Sequence, residues 1–228
     1  MEQYIGRALY IKVGKIVATK TAGTKEFVSA IKKYGVEKAY LTKTGFAGDE
    51  QADKVHHGGE TKAVLFYSTV TYNKINKLKN INLEFDGISH FGENIVVSHA
   101  DEEGICVGDV LRIGEAVVEV SQPREPCWKL SANTDIPEMT KLIYKNGFTG
   151  WYGRVLQEGE IKQNDEISLI KRIHPKLTIA ALNRLIQNPK SDEALYEETV
   201  KCEALGAAFK KSIVGKFLTP EPEEPDWR

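Results

Sequence analysis

Between Tyr10 and about residue 172 the apolar residues of this chain come in short runs broken at close intervals. "YIKVGKIVA" (10–18) and "EAVVEVSQ" (115–122) alternate apolar with polar, and "KAVLFY" (62–67) is a brief continuous run. Successive side chains of a strand point to opposite faces, so alternation marks a strand with one face in a core. "NGFTGWYGRVL" (146–156) and "DEISLIKRI" (165–173) read as two more strands, joined by the turn-rich "QEGEIKQN". Glycine, Asn and Asp punctuate these segments as a mainly β barrel or sandwich requires. Helical stretches are expected at about 68–79 and 135–145, the second with Asp135 as N-cap and Pro137 in its first turn.

After His174-Pro175 the pattern turns helical. "LTIAALNRLIQ" (177–187) has Thr178 as its cap, "SDEALYEETVKCEAL" (191–205) opens on Ser191 and Asp192, and "AAFKKSIVGKF" (207–217) is set off by Gly206. The expected organisation is a β domain over residues 1–173 and a small three-helix domain over 174–218. A tail rich in Pro and Glu over 219–228 is expected to be extended or flexible.

Lysine plus arginine (31) nearly cancels aspartate plus glutamate (32), leaving a net charge of −1 and no global argument for nucleic acid or an anionic membrane as partner. Residues 1–20 carry charges throughout, and no apolar stretch approaches the length of a membrane span. Three cysteines without a C-x-x-C pair give no disulfide framework. A reduced, cytoplasmic protein is expected.

Four stretches carry chemical content. In "TKTGFAGDEQAD" (42–53), Gly45 and Gly48 allow backbone amides to turn inward on an anion; the plainer reading is a glycine-assisted loop with Asp49 and Asp53 capping turns. In "KVHHGGETK" (54–62), adjacent His56 and His57 point to opposite sides of an extended chain and do not chelate one metal together. They form a hydrogen-bonded loop, or with Lys54 and Lys62 the wall of a polar site. In "HFGENIVVS" (90–98), Asn94 either stabilises the entry to a strand or offers its amide to a heterocycle.

The fourth is "SQPREPCWKL" (121–130). Pro123 and Pro126 fix their own φ and push the residues before them towards extended geometry, so Arg124, Glu125 and Cys127 have few ways to point. A lone cysteine is by default inert filler. Positive charge from Arg124 and Lys129, with Arg154 if its strand adjoins, instead favours thiolate, the form that attacks electrophiles and binds soft metals. Cys106 and Cys202 read as structural.

The blocks "GFAGDEQAD", "HHGG", "FGEN", "SQPREPCWKL" and "GWYGRVL", in that order over about 110 residues, resemble the MOSC-domain family, the C-terminal-type domain of molybdenum cofactor sulfurases, in its stand-alone bacterial YiiM-like branch. The resemblance implies a MOSC β-barrel with a few peripheral helices and a C-terminal three-helix bundle. It implies molybdenum cofactor as prosthetic group and Cys127 as thiolate ligand to molybdenum. It further implies reduction of N-hydroxylated compounds, such as 6-N-hydroxylaminopurine, to amines, a detoxification of base analogues. On the same ground Gln122, Arg124, Arg154, Lys54, His56, His57, Asn94 and Gly48 are expected to hold the cofactor, and Cys127, His57 and Asp49 to be catalytic. The family pattern has Pro-Asp-Arg/Lys where this chain has Glu60-Thr61-Lys62, so the resemblance carries no role for residues 60–62.

No flavin, haem or iron–sulfur motif is present, so an external flavoprotein reductase is expected as electron donor. A homodimer is expected by resemblance alone. Two other readings stand beside the reductase: a sulfur-transfer protein with a persulfide on Cys127, and a non-enzymatic cofactor carrier.

Overall fold

The computed structural model describes residues 2–19, 26–53 and 58–219. Six strands come first: β1 (Gln3–Val13), β2 (Val17–Thr19), β3 (Phe27–Ser29), β4 (Tyr34–Val36), β5 (Lys38–Thr42) and β6 (Gly45–Phe46). A single 3-10 turn at Glu60–Lys62 leads into β7 (Val64–Ser68) and helix α1 (Thr69–Lys79). Next are β8 (Ile95–Val97), β9 (Val110–Ile113) and β10 (Ala116–Pro123), then helices α2 (Lys129–Thr134) and α3 (Met139–Asn146). β11 (Trp151–Gln157), β12 (Gly159–Lys162) and β13 (Asp165–Lys171) complete the β part, and α4 (Ile179–Gln187), α5 (Glu193–Lys201) and α6 (Ala207–Leu218) follow.

Seven strands close into a barrel in the order β13-β9-β10-β11-β7-β8-β1, with β1 pairing back onto β13. All neighbours are antiparallel except β7 and β8. Closure leaves no open edge in the ring. β4 extends the far end of β1, β5 pairs with β12 and β6 in a small second sheet, and β2 and β3 form a separate ladder. The alternation read in the sequence is the barrel's inside–outside pattern: Ala116, Val118 and Val120 of β10 are buried between half-exposed Val117 and Glu119.

Several boundaries differ from the sequence reading. The run 10–18 is two strands, because β1 stops at Val13 and residues 14–16 pair in no ladder before β2. The strand expected over 146–156 begins only at Trp151. Before it, Gly150 has φ +64°, and a Cβ there would lie 2.2 Å from the carbonyl oxygen of Phe66, so only glycine lets the turn pass this close to β7. The helix expected over 135–145 is α3 alone, which starts late, and a separate helix, α2, ends before Asp135. Asp135 does not cap it; it closes α2 in the left-handed conformation, and α3 starts at Met139. Pro137 holds Ile136 away from helical geometry, so no helix runs through this point. The run 191–205 is helical only as far as Lys201.

Two caps stand where the sequence places them. Thr178 accepts the amide of Ala181 and Asp192 that of Leu195. The apolar core is continuous from the barrel into the C-terminal helices: Leu182, Leu185 and Ile186 of α4, Tyr196 of α5 and Phe209 and Ile213 of α6 pack in one cluster with Val118, Val120 and Trp151. Residues 220–228 lie outside the described residues. Among those described, no helix is long and apolar enough to cross a membrane.

Candidate functional site

β10 delivers the motif segment to the rim of the barrel. Its last pairs are Gln122 with Tyr152 and Pro123 with Trp151. Beyond Pro123 the backbone is pinned at two points. The amide of Arg124 donates to Gly150 O at 3.3 Å, and Cys127 O accepts from the amide of Leu130 and from Thr140 Oγ1 at 2.9 Å. The prolines limit the chain's freedom and these bonds fix what remains. Cys127 is half-buried and faces a cavity that also receives Arg124, Lys62, Asp49, Asn94 and Tyr152. The cavity volume is about 80 Å³, several times the ~10–15 Å³ that one water needs.

Arg124 is the electrostatic centre of this cavity. It is only 4% exposed, its Nη2 lies 3.6 Å from Cys127 Sγ, and its Nε and Nη1 have no hydrogen-bond partner among the described residues. A buried cation without a counter-charge is costly, so a guanidinium held here by the fold fits an anionic ligand or a thiolate. Tyr152, on the neighbouring strand, is buried, which pushes its phenol up, with Arg124 pulling it partly back.

The opposite wall comes from "TKTGFAGDEQAD" and "FGEN". Asp49 is saturated: Oδ1 accepts from Gly14 N at 2.7 Å and Lys33 Nζ at 2.6 Å, and Oδ2 from Lys33 Nζ at 2.7 Å and Asn94 Nδ2 at 2.9 Å. Three amides of this loop are committed within the protein: Ala47 N to Tyr40 O, Asp49 N to Phe46 O and Glu50 N to Gly14 O. Asn94 is committed too, donating to Lys12 O as well as Asp49 and accepting from Leu65 N. Its geometry is that of a strand-entry brace whose side chain lines the cavity.

Behind this wall lies a buried ion pair, Lys12 Nζ to Glu93 Oε1 at 2.9 Å, both side chains 0% exposed. Tyr72 Oη donates to the same carboxylate oxygen and Phe91 N to the other. Sequence reasoning missed Lys12 and Lys33. Lys12 sits inside an alternating strand and Lys33 in an ordinary lysine pair, so neither carried a local signal.

Lys62 takes the place in a polar wall that one reading of 54–62 offered it, although the family resemblance gave it no role. It ends the 3-10 turn, is 8% exposed, and holds its Nζ 5.9 Å from the ring centre of Tyr152. Burial lowers its pKa below the usual lysine value; Glu125 opposes the shift and Arg124 adds to it.

Cys127, Arg124, Asp49 and Asn94 are thus brought together. Gly48, Gln122 and Arg154 do not line the cavity. Arg154 faces Glu119 across the β10–β11 ladder, Nη1 to Oε2 at 2.5 Å. Gln122 is buried, its Oε1 has no hydrogen-bond partner among the described residues, and a Cβ on Gly206 would lie 2.0 Å from that oxygen. Lys54, His56 and His57 lie outside the described residues. Cys106 and Cys202 are buried, and burial pushes the Cys106 thiol up to about 11 and raises that of Cys202 as well.

Comparison with known proteins agrees with this architecture. A sequence model of the MOSC domain matches residues 53–168 of the 228. The chain is 34% identical over 216 residues to the uncharacterized protein YflK of Bacillus subtilis, covering 95% of this chain and 96% of that one. It is 33% identical over 184 residues to a protein of Gibberella moniliformis named reductase, covering 80% of this chain but only 32% of that longer protein. The crystal structure of YiiM from Geobacillus stearothermophilus superposes with a TM-score of 0.75 at 28% identity, covering 92% of this chain and 98% of that one. On these matches and its closed barrel, the chain belongs to the MOSC-domain family.

Proposed function

We propose that this protein is a molybdenum-cofactor-dependent reductase of N-hydroxylated compounds, converting hydroxylamino groups such as that of 6-N-hydroxylaminopurine to amines. The observation that carries the reading is the half-buried Cys127 thiol beside a buried Arg124 with two unpartnered nitrogens among the described residues. A soft sulfur donor and an uncompensated cation are what an anionic cofactor carrying a soft metal would meet. Cys127 would be the chain's ligand to a metal carried by its own cofactor. Family membership supports the cofactor class, and the name reductase borne by the Gibberella moniliformis relative supports the redox class.

When bound, the cofactor would supply the two electrons that break the N–O bond. The residues of the chain do the rest. Arg124, whose Nη2 lies 3.6 Å from Cys127 Sγ, attracts negative charge into a cavity whose buried walls strengthen that attraction. The Lys33–Asp49–Asn94 chain of hydrogen bonds keeps the facing wall rigid, so a bound group meets a fixed surface. Cytoplasmic location, a homodimer and a flavoprotein electron donor belong to the same proposal.

The test compares the wild type with Cys127→Ser in a host that makes molybdenum cofactor. Molybdenum content and reduction of 6-N-hydroxylaminopurine with dithionite are measured on the same preparations. About one molybdenum per chain with turnover, both lost in the variant, is expected. Metal without turnover indicates a carrier. A lack of both, in a host that loads another molybdenum enzyme, directs the next assay to sulfur transfer through Cys127.

A further inference from the structure

We propose that Trp128 determines which substrates the site holds, its indole forming a ledge at the cavity rim on which a flat heteroaromatic ring stacks. The proposal rests on the reductase reading above and names the part of an N-hydroxylated compound that the chain itself recognises. With a cofactor held at Cys127, the ring that carries the hydroxylamino group is left to the rim, and the side chains there decide which rings stay.

On the Cys127 side the rim is formed, among the described residues, by the motif segment and β3. Cys127 and Lys129 line the cavity with Trp128 between them, and Ser29 of β3 lines it too. Phe27 shares the face of β3 that carries Ser29, and Trp128 meets Phe27 edge to face, ring centres 5.0 Å apart at 72°. Phe27 is buried, whereas Trp128 is 37% exposed beside the thiol. The inner ring is therefore packed and the outer one presents apolar surface to an incoming molecule. The indole is also held in place. Trp128 O accepts the amide of Ala132 at 3.2 Å and Cys127 O that of Leu130 at 3.0 Å, so both peptide units are tied into the first turn of α2. A ledge fixed before binding spends little entropy on ordering itself.

The other candidates for a ring platform fail on burial or shape. Phe91 and Tyr152 are the other aromatic rings that line the cavity among the described residues, and both are buried. Phe91 is packed against Tyr67 and Tyr72, and Tyr152 has the Lys62 ammonium 5.9 Å from its ring centre. Arg124 has a planar head but is buried as well. Val28 is exposed, yet alternation along β3 puts it on the face opposite Ser29. Glu50, Asp53 and Lys129 bring charge and no plane. Every base has a π face, so stacking selects flat heteroaromatic hydroxylamines over aliphatic ones without reading one particular base.

The test compares wild type, Trp128→Ala and Trp128→Phe at matched molybdenum content. Steady-state kinetics are run with 6-N-hydroxylaminopurine and with N-methylhydroxylamine, which has no ring. Calorimetry on the same preparations measures binding of adenine, which keeps the purine ring and lacks the hydroxyl. In Trp128→Ala, KM for the purine and the adenine Kd should each rise at least about fivefold, with kcat within about twofold. KM for N-methylhydroxylamine should not move, and Trp128→Phe should restore most of the purine affinity. Purine KM and adenine Kd within about twofold of wild type in Trp128→Ala overturn the ledge alone, as do equal losses with both substrates. A fully loaded wild type that binds adenine through Trp128 without turnover overturns the reductase reading and leaves the ledge. One that neither turns over nor binds adenine overturns both.

Discussion

Replacing Lys12 by methionine tests whether the wall behind the cavity is held by its buried ion pair. The substitution keeps most of the side-chain volume and removes the ammonium that sits 2.9 Å from Glu93 Oε1 with no solvent exposure. Removing one partner of such a pair costs about 3–5 kcal/mol, because the other charge stays buried without compensation. Glu93 keeps one donor on each oxygen, Tyr72 Oη at 2.9 Å and Phe91 N at 3.0 Å, which places the expectation near the lower end, about 3 kcal/mol. A chain of this length shifts its melting point by roughly 2–4 °C per kcal/mol, so a fall of about 6–12 °C is expected by calorimetry. The double variant Lys12→Met/Glu93→Gln removes the stranded charge. The carboxamide oxygen introduced by Glu93→Gln can take the Phe91 amide, while its NH₂ group donates to Tyr72, whose hydroxyl rotates to accept. At least about 2 kcal/mol should return, measured as the coupling in a double-mutant cycle by guanidinium unfolding. A single variant within about 1 kcal/mol of wild type, or a double variant as unstable as the summed singles, would refute the idea that an uncompensated charge dominates here.

Two further predictions concern groups apart from the catalytic proposal. At pH 8 iodoacetamide should label half-buried Cys127 in the folded protein and leave buried Cys202 and Cys106 unlabelled, since the Cys106 thiol, pushed up to about 11, is roughly one part in a thousand thiolate at that pH. Peptide mapping reads this directly, and labelling of Cys106 at a rate like that of Cys127 would contradict it. Burial raises the Glu102 carboxyl above 4.5, partly offset by hydrogen bonds from Thr71 and Gly150. Its folded pKa lies above the unfolded one, so the stability it contributes is fully present below about 4.5 and is lost as pH rises through the folded value. Glu102→Gln stays neutral throughout, so its melting point should gain on that of wild type between pH 5 and pH 8. A gap that does not change with pH counts against the assignment.

What the sequence disclosed follows from how local each signal is. The barrel is legible because Val118 and Val120 of β10 and their counterparts repeat with the period of a strand, and the C-terminal helices because Thr178 and Asp192 cap them within three residues. The rim containing Cys127 and Arg124 is legible because the two prolines act on their immediate neighbours. The late start of the helix expected over 135–145 is not legible, because Asp135 and Pro137 are also good helix-opening residues, and only the observed left-handed Asp135 shows which role the fold uses. Lys62 could be named as part of a wall, but its burial against Tyr152 depends on a strand 90 residues on. Lys12 and Lys33 were not legible at all. Lys12 is paired with Glu93, 81 residues away, and Lys33 with Asp49, 16 residues away. Long-range pairing of that kind leaves no periodicity.

The same long-range logic joins the C-terminal helices to the cavity. Asn183 of α4 donates to Gly147 O and Thr149 Oγ1, both at 2.9 Å, and so fixes the turn before β11. Gly150, at the end of that turn, gives its amide to buried Glu102 at 2.8 Å and receives the Arg124 amide on its carbonyl. Helix, buried carboxylate and motif segment meet at Gly150, and its φ of +64° is one that a side chain adopts only with strain. Arg124 is therefore held from two directions, by the two prolines that flank it along the chain and by α4 through the 147–150 turn. A buried guanidinium with two nitrogens unpartnered among the described residues needs such support, because a looser segment would relax and let the charge reach water. Helix α4 thus braces the barrel's most strained electrostatic feature, the one on which the proposed chemistry depends.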